Sequence, residues 1–409
     1  MQEGERPAVM DVAQHYDHLE IAAMDDPFPV LAEARQQCPV AHSAEYEGFW
    51  PLFRYEDISA VAKDPGRFSS AQGITIPHHG FPLSLPPIET DPPQHMQLRG
   101  PLLERFSAAA VAGFEPHLRR SVVELIARFA DRGHADLVEE LTVPLPGIAV
   151  SLLLAIPEQD RSRCHEWATA LIREPESMEP ISAAFAYFYE LYQDRSAHPR
   201  DDIPSLILDI VVDGRPISEQ EFLCFMSTLV FAGLDTTASA GANMLELLAD
   251  RPDLRDGLVA DPGLIPQAVE ELLRYITPLP ALARVTTEPV ELGGVRIPAG
   301  ERVQMVFAAG NHDPAEFECP EEIRFDRTPN RHLAFSAGPH RCLGAHLARL
   351  ELRILLEEVL RLIPDYRLVD GGVVRYGGIT RGIARLPVTF TPLTGAAIGD
   401  ESKEWEVAS

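Results

Sequence analysis

The sequence predicts a mainly helical fold with small β-sheets, arranged as one domain over residues 1–409. Helical periodicity of apolar residues dominates, and it predicts helices over 108–132, 219–250, 264–275 and 345–362. Short β-like segments are few: 290–297, with a turn at Gly293-Gly294, and 388–391. Two long proline-rich stretches, 74–93 and 313–329, have no periodicity. Loops of that length inside a compact domain are usually functional or enclose something.

Composition places the chain among globular proteins. Of its 409 residues, 45% are apolar, which is ample material for a large core. The formal net charge of −27 argues against nucleic acid or an anionic membrane surface as the main partner. Internal repeats and low-complexity tracts are not found in the sequence, and 1–25 and 399–409 are expected to be flexible termini.

Cysteine usage and the N-terminus favour a cytoplasmic protein. The five cysteines are scattered without a Cys-x-x-Cys pair, which favours a reducing compartment and disfavours a zinc site. They are Cys38, Cys164, Cys224, Cys319 and Cys342. The first residues lack the basic and apolar regions of a signal peptide. The most apolar run, 143–156, is too short for a membrane span and contains Pro144 and Pro146, so no membrane anchor is expected.

The most informative segment is Phe-Ser-Ala-Gly-Pro-His-Arg-Cys-Leu-Gly, residues 335–344, which runs directly into the last long amphipathic stretch. Cys342 is therefore expected at the end of a tight loop and the start of a helix. Free helix N–H groups and neighbouring positive charge favour a thiolate, the form required of a metal ligand or a nucleophile. A buried, inert cysteine is the alternative.

The pattern Phe-x-x-Gly-x-His-x-Cys-x-Gly resembles the haem-ligand loop of the cytochrome P450 family. The resemblance implies that the Cys342 thiolate is the axial ligand of haem b, where the sulfur favours O–O bond cleavage. It also implies that Phe335 packs near the thiolate and that Gly338 and Gly344 let the backbone approach the porphyrin. Ser336 departs from the commonest form of the family, which has glycine there.

A second motif, Ala-Gly-Leu-Asp-Thr-Thr at 232–237, puts an acid and two hydroxyls into an apolar helix. A polar kink, with threonine bonded back to a carbonyl, is the simple structural interpretation. In the resembled family this is the distal oxygen-activation signature. The resemblance implies that Gly233 leaves room for dioxygen, that Thr236 opens the helix, and that Asp235 and Thr236 deliver the protons that O–O cleavage requires.

A third motif, Glu271-Leu272-Leu273-Arg274, pairs an acid and a base at i and i+3. By itself this is a weak signal, typical of a surface helix pair. It lies between the other two motifs, as the Glu-x-x-Arg of the resembled family does. The resemblance implies a buried structural network in which Arg327 is the third member.

Haem carries two propionates, and the resemblance implies that four cationic positions bind them: His95, Arg99, Arg284 and His340. The first two share a helix face at i and i+4. Taken singly, each of the four could equally be a solvated side chain. Asn311-His312-Asp313-Pro314 also matches the family, although arginine is more usual at the position of His312.

The resemblance implies a mostly apolar substrate pocket, supplied by four separate segments. Its expected residues are Ile74, Ile76, Phe81, Leu83, Leu85, Thr228, Phe231, Ala232, Pro280, Leu282, Ile379 and Thr380. Core packing is the alternative for each of them. We expect a small to medium hydrophobic substrate, terpene-like or aromatic, held by shape with at most one polar anchor.

Electrons are expected from a separate protein, because the sequence contains no flavin or iron–sulfur pattern. The resemblance implies a ferredoxin with its reductase. A small acidic ferredoxin is expected to dock near Arg341, Arg349 and Arg353, with Arg105 and Arg120 close by. A solvated helix face is the alternative.

The predicted function is a ferredoxin-dependent haem-thiolate monooxygenase that acts on C–H or C=C bonds. A peroxide-driven peroxygenase on the same fold is disfavoured by Asp235-Thr236, as is a non-catalytic haem-binding recruitment module. A hydrolase with Cys342 as nucleophile and His340 as base is disfavoured because residues two apart on a tight loop do not readily meet in attack geometry.

Overall fold

Helices dominate the described part of the chain, as the sequence predicts. The computed structural model describes residues 15–78, 83–161, 163, 166–167 and 179–393. Its α-helices are α1 His18–Ala23, α2 Phe28–Gln37, α3 Tyr55–Lys63, α4 Gln94–Arg99, α5 Ala108–Ala112, α6 Glu115–Ala127, α7 Pro144–Leu153, α8 Glu179–Ala197, α9 Ile203–Leu208, α10 Glu219–Asp250, α11 Pro252–Ala260, α12 Ile265–Ile276, α13 Phe307–Gly310 and α14 Ala345–Leu362.

Several small β-sheets accompany the helices, as predicted. The strands are β1 Trp50–Leu52, β2 Phe68–Ser69, β3 His134–Asp136, β4 Val211–Val212, β5 Arg215–Pro216, β6 Leu282–Thr286, β7 Val290–Leu292, β8 Val295–Ile297, β9 Arg302–Met305, β10 Arg367–Leu368, β11 Val374–Tyr376, β12 Gly382–Arg385 and β13 Pro387–Thr389. The largest sheet has the order β1-β9-β6-β2, and a second has the order β10-β13-β3. Strands β11 and β12 form an antiparallel hairpin close to the central helix α10.

Helix α10 organises the core. It begins with a capping box, in which the Ser218 hydroxyl accepts from the Glu221 N–H and the Glu221 carboxylate accepts from the Ser218 N–H. Helices α7, α8 and α14 pack against it. By length and composition, α10 could cross a membrane, but 56% of its most apolar window is buried inside the fold. That burial is typical of a core helix.

The sequence locates most of these elements closely. The predicted bounds of α10 and α14 agree with the structure, and 264–275 is shifted by one residue from α12. The predicted helix 108–132 is wrong as a single element, because α5 ends at Gly113 and Pro116 begins a new helix in α6. The segment 290–297 is the β7–β8 hairpin that its Gly-Gly turn predicts.

The prediction of a flexible N-terminus through residue 25 is wrong for the described residues. Helix α1 is capped by the Asp17 carboxylate, which accepts from the Leu19 and Glu20 N–H groups. Tyr16 is only 2% exposed because its ring packs edge-on against Phe49 and Phe53. Several predicted features lie outside the described residues: Phe81, Cys164, the first fourteen residues and 399–409.

Candidate active site

The loop before α14 places Cys342 at the helix N-terminus, as its sequence indicates. The Cys342 N–H donates to the Phe335 carbonyl over 2.9 Å, which closes the loop. Gly344 is the N-cap residue of α14, and its N–H donates to the Cys342 sulfur. Cys342 retains accessible surface although protein atoms surround its sulfur densely. The residue therefore faces a space inside the fold.

The N–H group and the positive charges that the sequence identifies do act on Cys342, but burial opposes them. Burial raises the pKa of the thiol, and this effect outweighs the Gly344 N–H and the charges of Arg99, Arg349 and Arg341, each of which lowers it. A bare anion is costly at this depth. Coordination to a metal cation is the ordinary way in which such a thiol becomes deprotonated.

Two residues of the loop have unusual backbone angles. Gly338 has φ = +68°, and a Cβ there would lie 2.2 Å from the Ala62 carbonyl oxygen, so no other residue fits without movement. Ser336 also has positive φ, at 56°, which favours glycine and explains why glycine is common in the resembled pattern. A Cβ at Gly344 would meet no protein atom within 4 Å. The requirement for glycine at Gly338 therefore comes from its packing against the end of α3.

The four predicted cationic residues lie together. The ring centroids of His95 and His340 are 4.2 Å apart. The charges of Arg284 and Arg99 both act on His340, and Arg99 donates to the carbonyl of Arg341 beside the cysteine. Arg284, on β6, is only 2% exposed, and within the described part of the chain its guanidinium donates to the Ala283 carbonyl over 2.6 Å.

This cluster fits the two carboxylates of haem. Both ring nitrogens of the buried His95 lack a hydrogen-bond partner among the residues that the structure describes. Burial, together with the charges of neighbouring cations, lowers the pKa of His95 to about 4 and of His340 to about 3. Burial also lowers the pKa of Arg284 to about 10, and only Asp91 opposes it. Unsatisfied nitrogens and crowded positive charge are what a bound dianion would satisfy.

The distal motif occupies the middle of α10. Ala232 is exposed although the surrounding helix belongs to the core, so this turn also faces open space. The Thr236 hydroxyl donates to the Ala232 carbonyl over 2.7 Å, and the helix stays α-helical through this point. Thr236 therefore bonds back to its own helix, and the predicted opening of the helix at this residue is not observed.

Asp235 makes contacts that the sequence does not predict. The Tyr376 hydroxyl donates to Asp235 Oδ1 over 2.6 Å, and the Thr380 hydroxyl donates to Oδ2 over 2.5 Å. Ser239 makes a longer contact to Oδ1, 3.4 Å. Of these three partners of Asp235, only Ser239, four residues further along the same helix, could have been found from the sequence. Tyr376 and Thr380 come from the β11–β12 hairpin, some 140 residues away along the chain.

The Glu-x-x-Arg motif forms a buried network. Arg274 binds both Glu271 oxygens, over 2.8 and 2.9 Å, and neither side chain is more than 1% exposed. Arg327 Nε approaches both Glu271 oxygens at 3.1 Å. Asn330 and the backbone N–H of Arg324 also donate to this carboxylate. The structure thus brings together all three residues that the sequence groups here and adds Asn330.

The expected pocket residues divide into two groups. Ile74, Ile76 and Leu282 are 8%, 3% and 9% exposed, and they belong to two hydrophobic clusters around the main sheet and the N-terminus. These positions have packing roles. The accessible or half-buried positions are Leu83, Leu85, Thr228, Phe231, Ala232, Pro280 and Ile379.

Neither candidate hydroxyl anchor is free. The Thr228 hydroxyl donates to the Cys224 carbonyl over 2.9 Å, and Thr380 donates to Asp235. Ile379, beside Thr380, is 55% exposed.

The arginines expected to bind a ferredoxin are mostly paired. Arg349 forms a two-point ion pair with Glu270, at 2.6 and 2.8 Å. Arg353 bonds to Glu115 and Glu357, and Arg105 pairs with Asp201. Arg341 and Arg120 are exposed, and no ion pair is found for either within the described part of the chain.

Comparison with known proteins points to one family. A cytochrome P450 family model matches residues 263–362. Cytochrome P450 130 of Mycobacterium tuberculosis is 34% identical over 374 residues, which cover 86% of this chain and 92% of the relative. The mycinamicin IV hydroxylase/epoxidase of Micromonospora griseorubida is 37% identical over 362 residues, 84% of this chain and 90% of the relative.

A solved structure extends the likeness to the fold. A mutant of the mixed-function P450 MycG, in complex with mycinamicin IV, matches with a TM-score of 0.83 and 33% identity. The match covers 92% of this chain and 100% of the other. Fold and site together define a haem-thiolate oxygenase. The chain belongs to the cytochrome P450 family and is a monooxygenase that binds haem b through a cysteine thiolate.

Proposed function

We propose that this chain is a cytoplasmic, ferredoxin-dependent monooxygenase that inserts one oxygen atom into a C–H or C=C bond of a small to medium hydrophobic compound. The Cys342 thiolate would hold the haem iron. The observation that carries the proposal is the Asp235-Thr236 pair at the accessible turn of α10, with both Asp235 oxygens engaged by hydroxyl donors.

Proton delivery is the task of this pair. When bound, haem supplies the iron at which dioxygen is activated. Splitting the O–O bond consumes protons, and an apolar pocket supplies none unaided. Asp235 relays protons at its carboxylate, and the Thr236 hydroxyl, whose hydrogen is bonded to the Ala232 carbonyl, presents its oxygen as an acceptor beside Gly233. A peroxygenase does not need this arrangement, so the pair favours the monooxygenase.

His95, Arg99, Arg284 and His340 bind the two haem carboxylates. The crowded positive charge of this cluster and the unsatisfied ring of His95 support that role. Because Arg284 is buried, its bond to a carboxylate is shielded from water and is stronger than a surface pair.

The pocket-lining positions support an apolar substrate. The hydroxyls of Thr228 and Thr380 are already bonded within the protein, and the accessible positions around them are hydrocarbon side chains. The substrate is thus held by shape and burial. The names of several relatives point to apolar frameworks, among them a steroid C26-monooxygenase of Mycolicibacterium smegmatis and a neighbouring structure with bound testosterone.

A panel of limonene, 4-propylphenol and testosterone tests the substrate class. We expect at least one of them to shift the haem from low to high spin, because an apolar ligand displaces water from the iron. Matched charged compounds, such as 4-propylbenzoate, should give no shift. A response to the charged members alone would contradict the proposed class.

Electrons come from an acidic ferredoxin that docks on the face where the cysteine loop meets α14. Arg341 and Arg120 are the cations on this side that carry no ion pair among the described residues, and they are available for steering. Arg349 and Arg353 add little net charge to this face, because Glu270, Glu115 and Glu357 balance their charges. Their role in docking is to position the ferredoxin.

The proposed reaction is tested with Thr236→Ala, Thr236→Ser and Asp235→Asn in the haem-loaded protein, driven by NADH, a reductase and a ferredoxin. Loss of the hydroxyl or of the carboxylate should lower product per oxygen consumed by about tenfold and release hydrogen peroxide instead. Thr236→Ser keeps the hydroxyl and should remain close to the parent. Product formed equally well from added peroxide in Asp235→Asn would favour the peroxygenase, and no product under any condition would favour a recruitment module.

A further inference from the structure

The Asp235 carboxylate is held from outside its own helix. Tyr376, the last residue of β11, reaches Oδ1 at 2.6 Å, and Thr380, in the turn after β11, reaches Oδ2 at 2.5 Å. Hydrogen bonds to a carboxylate at these distances are charge-assisted and directional. One short segment of the hairpin therefore fixes both oxygens of the acid.

The Tyr376 ring is itself fixed by the opposite strand. Tyr376 pairs with Gly382 across the β11–β12 hairpin. The ring lies against the Gly382 backbone so closely that a Cβ there would be 2.0 Å from the ring carbon Cζ. Glycine at residue 382 is therefore what allows the hydroxyl to reach Asp235.

The chemistry of Tyr376 suits a donor that stays protonated. Burial raises the pKa of its hydroxyl well above the usual range, and the negative charge of Asp235 raises it further. Ser239 lies 3.3 Å from the same hydroxyl oxygen. The phenol can therefore donate steadily without giving up its proton at neutral pH.

We propose that Tyr376, supported by Thr380, is a positioning residue for proton delivery: it holds the Asp235 carboxylate in the orientation in which Asp235 relays protons beside Thr236. The proposal rests on the relay role assigned to Asp235 above. It makes the β11–β12 hairpin part of the oxygen-activation machinery.

A positioning role differs from a purely structural one in what it changes. If the Tyr376–Asp235 bond only stabilised packing, its loss would lower the melting temperature and leave the fate of oxygen unaltered. If the bond aims the carboxylate, its loss lets Asp235 rotate, and reduced oxygen leaves as hydrogen peroxide.

The main test compares Tyr376→Phe, Gly382→Ala and the control Val374→Ala, an exposed residue on the same strand (45% exposed). Tyr376→Phe removes one oxygen and keeps the ring, and Gly382→Ala displaces the ring without removing a polar group. Peroxide released per oxygen consumed is measured with whichever of limonene, 4-propylphenol and testosterone gives the largest spin shift. We expect about a threefold rise in both hairpin variants and none in Val374→Ala.

A second readout needs no turnover. The infrared bands of the Asp235 carboxylate are isolated as the difference between the parent and Asp235→Asn. Tyr376→Phe and Thr380→Val should each shift these bands because each removes one donor, whereas Thr380→Ser should restore the parent position. The solvent isotope effect on product formation should rise in Tyr376→Phe.

The outcomes distinguish the relay role of Asp235 from the positioning role of Tyr376. If Asp235→Asn leaves peroxide release unchanged, the relay itself is wrong. If Asp235→Asn raises peroxide release but Tyr376→Phe changes only the melting temperature, the relay stands and the positioning role of Tyr376 is refuted. Unshifted carboxylate bands in Tyr376→Phe would also refute it.

Discussion

The guanidinium of Arg349 lies 4.4 Å from the centroid of the Phe335 ring and also forms a two-point ion pair with Glu270. This one side chain ties the cysteine loop to α14 and α12. Its loss would uncover the ring next to the cysteine and leave the Glu270 carboxylate with His332, 3.2 Å away, as its remaining ion-pair partner among the described residues. Arg349 is thus part of the structure around the cysteine, and its substitution does not report on electron transfer alone.

Electron transfer should therefore be tested with the unpaired cation Arg120. Arg120→Glu should slow reduction by an acidic ferredoxin about threefold at low salt and flatten its dependence on ionic strength. The control Arg105→Glu reverses a charge that Asp201 already balances. Stopped-flow reduction under carbon monoxide measures both. Equal rates for parent and Arg120→Glu at every salt concentration would remove Arg120 from the docking surface.

The Glu271 network should be indispensable for stability. Arg327→Ala leaves the buried Glu271 carboxylate short of one cation, which is expected to cost about 3 kcal/mol of unfolding free energy. Arg324→Ala is the matched control, because its side chain is 36% exposed and its ion pairs among the described residues are with the exposed Glu318 and Asp326. Its cost should stay below about 0.5 kcal/mol. Urea denaturation distinguishes the two, and equal losses would contradict the assigned role.

Glu351 should make stability depend on pH. It is 2% exposed, its Oε2 has no partner, and burial raises its pKa to about 8. In the unfolded chain a glutamate titrates near 4.3. Between these values the unfolded state releases the proton first, so the contribution of Glu351 to stability is complete below about pH 4 and is lost as the pH rises to 8.

Glu351→Gln removes this titration. The variant should be about 4 kcal/mol more stable than the parent at pH 8 and about 1 kcal/mol more stable at pH 5. Urea denaturation of both proteins at the two pH values is the measurement. A parent whose relative stability did not fall between pH 5 and pH 8 would show that the carboxyl is paired.

Substitution of Arg284 should leave the stability of the haem-free protein unchanged but weaken its hold on haem. Its charge is buried without a carboxylate at ion-pair distance among the described residues, so Arg284→Leu should not destabilise the haem-free chain. The same variant loses a charge-assisted bond to haem and should release haem about tenfold faster. Haem transfer to apomyoglobin and denaturation of the haem-free protein measure the two effects. Unchanged haem release would remove Arg284 from the binding site.

The sequence predicts the elements well where one local signal decides them. The bounds of α10 follow from a capping box and a continuous apolar pattern, and the β7–β8 hairpin follows from Gly293-Gly294. The break between α5 and α6 was missed, because helical periodicity continues through Gly113 and Pro116. The packed N-terminus was missed because the contacts of Tyr16 are all distant in sequence.

The residues of the site also fall into those that a local motif reveals and those that only the tertiary fold brings together. Cys342, Asp235, Glu271 and Arg274 are found from short motifs. Their partners are not, because Tyr376 and Asn330 have no local pattern and reach the site only through the tertiary fold. The burial of Cys342, which raises the pKa of its thiol, is likewise missed, since local charges are visible in the sequence and burial is not.

The absorption spectrum of the reduced, carbon monoxide-bound protein tests the central claim most directly. The account predicts a strongly red-shifted Soret band in the haem-loaded parent, because a thiolate lies opposite the carbon monoxide. In Cys342→Ala, folded and loaded with haem, that band should be lost. A parent that is folded and haem-loaded but lacks the red-shifted band would contradict ligation of the iron by Cys342.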